Sequence, residues 1–165
     1  MKSRVNTTGK RIIIIVDFQH LQMLRKAIRE ILSSKDTFQL SILGQLGNDG
    51  FFLDKMEVGL ERELKTYWNG VLETKTDFGI FGNPEFGTLF VTGPVASQFL
   101  KDISGEPLGA ISAGPYGILR GMGILEEEVN SHLKLLKEGH YLLFIRTYTQ
   151  HWKLIKKQLG KLILV

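Results

Sequence analysis

Apolar and polar positions divide the chain into short apolar runs alternating with amphipathic stretches. Residues 11–16, RIIIIV, form a β-branched, almost wholly apolar run. Runs of this kind predict a strand inside a sheet, covered on at least one face. Asp17 then ends the strand and is placed to cap the next helix. Over 18–32, Leu21, Leu24, Ile28, Ile31 and Leu32 share one helical stripe, with Lys26, Arg29 and Glu30 opposite. SSKD at 33–36 breaks that period, and FQLSIL at 38–43 alternates as a half-buried strand does. Residues 11–43 therefore predict a β-α-β unit, with a right-handed crossover as the default.

Residues 44–50 are rich in Gly and Asn and predict a loop. A second helical period covers 53–72 through Leu53, Met56, Leu60, Leu64, Tyr67, Trp68, Val71 and Leu72. Gly59 and Gly70 weaken it by about 1 kcal/mol each relative to Ala. DFGIFGNPEFG at 77–87 predicts turns around Asn83-Pro84, followed by a strand over 88–92 and a short helix over 95–103. The Tyr67/Trp68 pair reads as core or as a protein contact.

The run 105–123, GEPLGAISAGPYGILRGMG, places a small residue at every fourth position: Gly105, Gly109, Ala113, Gly117 and Gly121. On one helix these make a flat stripe against which another backbone packs closely. Glu106, Pro107, Pro115 and Arg120 interrupt it, and it falls short of the ~20 apolar residues a membrane span needs. Packing on another helix of the chain or on a second copy is the favoured reading. Leu at Gly117 or Gly121 is then expected to disrupt folding or assembly. A helix over 126–138 follows, with Glu126, Glu127 and Glu128 at its start, Lys134 and Lys137 towards its end and Gly139 just beyond. Its buried face is read as Leu125, Val129, His132, Leu133 and Leu136. HYLLFIRTY at 140–148 predicts a strand. A last helix with Trp152, Ile155 and Leu159 starts at Thr147 or Thr149 and stops at Gly160, and 162–165 predict an edge strand.

Composition bounds the class. With 165 residues, 43% hydrophobic, the chain suits one domain with a real core. The polar, non-periodic residues 1–10 predict a flexible tail, leaving a single α+β domain over 11–165. The absence of Cys excludes disulfides and thiolate metal sites and fits a cytoplasmic location. The apolar run 12–16 is too short for a signal peptide or a span.

The formal charge of +4 is unevenly spread: residues 134–165 hold seven Lys or Arg against one acid. Trp152 with Lys153, Lys156, Lys157 and Lys161 is a candidate contact for an anionic membrane surface or nucleic acid. A solvated, lysine-rich helix face is the plainer reading.

Reactive chemistry is not evident. His20, His132, His140 and His151 lack the spacings that pair imidazoles on one helix face. Asp17 with His20, and His140 with His151, are the pairs able to converge. A helix cap and a solvent-facing first-turn residue account for the former. There is no phosphate loop, nucleophile elbow or dinucleotide fingerprint. The glutamates after Gly121-Met122-Gly123 would repel a phosphate. Asp77-Phe78-Gly79 matches the kinase metal-binding triplet by chance, since nothing else of a kinase accompanies it. No catalytic, cofactor-binding or metal residues are assigned, and no cofactor is expected.

Several motifs occur in a fixed order: Pro84-Glu85-Phe86-Gly87, Gly93-Pro94-Val95-Ala96, the glycine stripe, GILEEE at 123–128 and GHYLLFI at 139–145. In this order the chain resembles the bacterial general stress protein 17M-like family of heat-induced stress proteins, and the β-α-β start fits as well. Leu125 stands where that family's G-I-P-E-E-E has proline, and 53–75 is more charged than in relatives. The resemblance implies a stress context and carries no catalytic residues.

Together these readings predict an α+β, ferredoxin-like sandwich. Strands near 11–16, 38–43 and 140–146, joined by 88–92, make its sheet. Helices 19–32 and 126–138 cover one face, and 45–123 is a large glycine-rich helical insertion. The function expected is non-enzymatic and stress-associated or structural, exercised as a homo-oligomer or with a protein partner through the glycine stripe and the aromatic helix. The alternative is peripheral binding to an anionic membrane surface or nucleic acid.

Overall fold

The structure is a computed structural model that describes residues 9–34, 37–47 and 59–163. In chain order its elements are β1 (Arg11–Phe18), α1 (Leu21–Leu32), β2 (Gln39–Gly47), α2 (Leu60–Leu72), β3 (Phe78–Asn83), β4 (Gly87–Thr92) and α3 (Ala96–Phe99). A small hairpin of β5 (Asp102–Ile103) and β6 (Glu106–Pro107) leads through a 3-10 turn (Leu108–Ala110) to α4 (Gly114–Gly121), α5 (Glu126–Lys137), β7 (Tyr141–Tyr148) and α6 (Thr149–Ile163).

The main sheet runs β1-β7-β2-β4-β3, and every neighbouring pair is antiparallel. β1 and β2 are consequently parallel to each other with β7 inserted between them. β4 and β7 are likewise parallel, with β2 between. The chain therefore threads two interleaved split β-α-β units, an α+β arrangement.

Helices cover both faces. Ile15, Leu43, Leu89, Val91, Leu142 and Phe144 of the sheet pack with α3, α4 and α5. Leu40, Ile42, Phe90, Leu143 and Ile145 point the other way, into α1, α2 and α6. The alternation of side chains along β7 sends Leu142 and Phe144 to one core and Leu143 and Ile145 to the other, which is why its apolar run is unbroken. The expectation that helices 19–32 and 126–138 share a face is thus corrected: α1 and α5 lie on opposite faces.

Local corrections follow from pairing. Asp17 is no helix cap, because β1 continues to pair through Asp17↔Leu142 and Phe18↔Tyr141, and His20 is the residue before α1. The loop expected from 44 is strand as far as Gly47, and a Cβ at Gly44 would lie 2.8 Å from Phe90 and 3.0 Å from Tyr141. Glycine there lets two rings cross the strand. Most of the turn region 77–87 is β3, and the turn itself sits after Asn83, whose Oδ1 accepts from the N–H groups of Glu85 and Phe86.

The segment 45–123, expected as a helical insertion, supplies two of the five strands of the main sheet, β3 and β4. The helix expected over 95–103 is confined to α3, with β5 after it. Leu125 is 65% exposed and belongs outside the buried face read for α5, while Val129, Leu133 and Leu136 are buried as read. Gly139 takes φ 93° immediately after that helix, as expected of a C′ glycine. At the C-terminal end α6 passes through Gly160 to Ile163, so the stop and the strand over 162–165 are replaced by helix, with 164–165 outside the described residues. Residues 53–58 of the second helical period and 1–8 of the tail also lie outside them.

Candidate functional site

The β1 run reads like an interior strand, yet it lies at the sheet edge. Its one partner among the described strands is β7, through an unbroken register from Arg11↔Tyr148 to Phe18↔Tyr141. The strand has no proline and no bulge, the usual devices that blunt an edge. Ile12, Ile13, Ile14 and Val16 remain partly exposed.

Beside this edge runs an open groove. Ile13, Ile14 and Ile15 form its floor, Glu128 and His132 of α5 stand on one side, and Trp152 of α6 on the other. Residues of both helical layers thus line one groove with the middle of β1. β3 forms the opposite edge of the sheet. The Asn83 amide donates to the carbonyl oxygens of Gly109 (2.8 Å) and Ile111 (3.2 Å), tying the 3-10 segment to β3.

At the Phe18 end of β1, His140 Nδ1 lies 3.3 Å from Asp17 Oδ2. Asp17 therefore meets His140 rather than His20, and His140 and His151 stand beyond opposite ends of β7. Burial lowers the pKa of His132, while the charges of Asp17 and Glu128 raise it. Its Nδ1 is enclosed without a hydrogen-bond partner among the described residues. Among the described residues, no group of three His, Asp or Glu side chains is placed to hold a metal ion.

The small residues of the stripe do not share one helix. Gly105 sits in the turn between β5 and β6 with φ 93°, Gly109 in the 3-10 turn, and Ala113 precedes α4. Proline at 107 and the positive φ values at Ser104 and Gly105 break the helical path. Only Gly117 and Gly121 lie on α4, and a Cβ at either meets nothing within 4 Å. A β-carbon at either is sterically tolerated, so close packing on another described part of this chain does not require glycine at these two positions.

Of the aromatic pair, Trp68 is core, 4% exposed and stacked on Phe90. Tyr67 stays at the surface beneath the Arg25 guanidinium, 6.0 Å from the ring centroid. On α6, Trp152 packs partly against the core, and Lys153, Lys156 and Lys157 are exposed beside Leu154 at 60% exposure. Lys161 lies on the same helix.

The residues of the β1 edge were missed as a site. The available signal was an uninterrupted β-branched run bounded by opposite charges, Arg11 and Asp17. In comparisons with known proteins, no family model, curated protein or solved structure matches the chain. Among the described residues, no helix is long and apolar enough to cross a membrane.

Proposed function

We propose that this chain acts without catalysis, by self-association, as a stress-associated or structural protein. The observation that carries the reading is the apolar edge strand β1, which pairs with no described strand other than β7. A strand of eight residues with no described strand along one side is a template for another strand. Burying its isoleucines in a partner removes apolar surface from water and satisfies the backbone groups of that side together. The cytoplasmic location, which rests on the absence of Cys, and the likeness to general stress proteins of the 17M type, which rests on the sequence motifs, belong to this proposal. The ferredoxin-like likeness is kept at the level of two interleaved split units. The second helical layer and β3 go beyond it.

Light scattering at low and high salt tests the reading. A defined oligomer that survives salt supports it, because an apolar, backbone-paired interface is little screened. A monomer at every concentration and salt level overturns it.

A second reading has its own observation. Leu154 projects into solvent among Lys153, Lys156 and Lys157, an apolar residue within a basic helix face suited to an anionic surface.

A further inference from the structure

We infer that the partner of β1 is the β1 strand of a second copy, paired antiparallel about a twofold axis at Ile14, so that two five-stranded sheets join into one. This rests on the self-association reading and specifies its geometry.

The first argument is the direction of the backbone groups. Thr149 N–H donates to the Lys10 carbonyl at 3.0 Å, extending the β1/β7 register by one pair. Backbone groups alternate in direction along an antiparallel strand. Even-numbered residues of β1 therefore bond to β7, and Arg11, Ile13, Ile15 and Asp17 turn their N–H and C=O groups to the side where no described strand pairs. Two copies of β1 can bond only when odd positions face odd positions.

The second argument is charge. With Ile14 on the axis, Ile13 faces Ile15 of the second copy, Ile12 faces Val16, and Arg11 faces Asp17. Arg11 and Asp17 lie on the same sheet face as Ile13 and Ile15, so each guanidinium meets a carboxylate across the joint, twice by symmetry. Shifting the register to the next allowed pairing in either direction sets Arg11 and Asp17 opposite an uncharged residue. The strand is self-complementary in one register alone. The groove beside α5 and Trp152 is lined by Ile13, Ile14 and Ile15 of this strand.

The chain has no cysteine, so an introduced thiol reports its own position without background. In this register Ile14 faces itself in a non-hydrogen-bonded pair, with Cα atoms about 4.5 Å apart, within disulfide reach. Ile12 is displaced from its own copy by four residues, roughly 13 Å along the strand. Ile14→Cys should form a covalent dimer on mild oxidation, and Ile12→Cys should not. The double variant Ile12→Cys/Val16→Cys should cross-link as well, which covers the case in which Ile14→Cys folds poorly. Arg11→Asp should weaken dimerisation roughly tenfold.

A wild-type dimer with this cross-linking pattern supports the register. A wild-type dimer in which neither Ile14→Cys nor the double variant cross-links overturns the β1 joint and leaves self-association standing. A wild-type monomer overturns both.

Discussion

The indole of Trp68 stacks on the ring of Phe90, with centroids 5.0 Å apart and planes inclined by 21°. Phe90 lies on β4 and Trp68 on α2, so this stack fastens the helix to the sheet. Gly44, across from Phe90 in the β2/β4 register, leaves the space that the ring fills. Trp68→Ala is expected to cost about 3–5 kcal/mol, read as a lower urea midpoint. Tyr67→Ala, at a 38% exposed position, should change the midpoint far less. Equal losses would show that the two aromatics share one role.

Glycines divide by what surrounds them. Gly93 has φ 103°, and a Cβ there would lie 2.5 Å from the Leu40 carbonyl oxygen. Gly93→Ala should destabilise by about 2 kcal/mol or more, since strain adds to the clash. Gly117→Ala, in the open part of α4, should stabilise by up to about 1 kcal/mol through helix propensity. Thermal melts of both variants check the opposite signs. A Gly117→Leu variant that folds but changes solution mass would place α4 at a subunit contact.

Asn83 bonds with both ends of its side chain, donating to Gly109 and Ile111 and accepting from Glu85 and Phe86. Asn83→Ala leaves buried backbone groups without partners and should cost about 1–3 kcal/mol. Amide exchange at Glu85 and Phe86 should quicken. Unchanged protection there would show that the turn holds itself.

Burial lowers the pKa of His132 below its ordinary 6.5, against the opposing pull of Asp17 and Glu128. The unfolded chain then takes up the proton at a higher pH than the folded one. The contribution of His132 is therefore fully present above about pH 6.5 and lost as the pH falls towards its lowered folded value. His132→Gln should flatten the decline in urea midpoint between about pH 7.5 and about pH 5. An unaltered slope would assign the acid sensitivity to other groups.

If α6 meets an anionic surface, replacing Lys153, Lys156 and Lys157 with Glu should abolish binding to phosphatidylserine vesicles. Wild-type binding should weaken steeply with salt. Salt-insensitive binding, or none, removes the second reading.

The elements legible in the amino-acid pattern are those whose cause is local. α1 and α5 show a 3.6-residue stripe, and α5 also carries acids at its start, lysines at its end and Gly139 beyond. β7 is apolar on both faces because both are covered. Where the pattern misled, a distant partner decided. Gly44 is strand because Phe90 of β4 pairs with it, and Phe78–Asn83 is strand because β4 pairs with it.

Period and the charges at helix ends thus made α1, α5 and the strands β1 and β7 legible from the sequence alone, and with them a mixed α+β composition. Strand order and the choice of sheet face were left to the tertiary structure. A β-branched run such as 11–18 carries the same local preference at the centre of a sheet or at its rim, because propensity acts on the backbone and not on the neighbour. The tertiary structure pairs one side of the RIIIIVDF strand with β7 and sets no described strand against the other, which puts it at the rim.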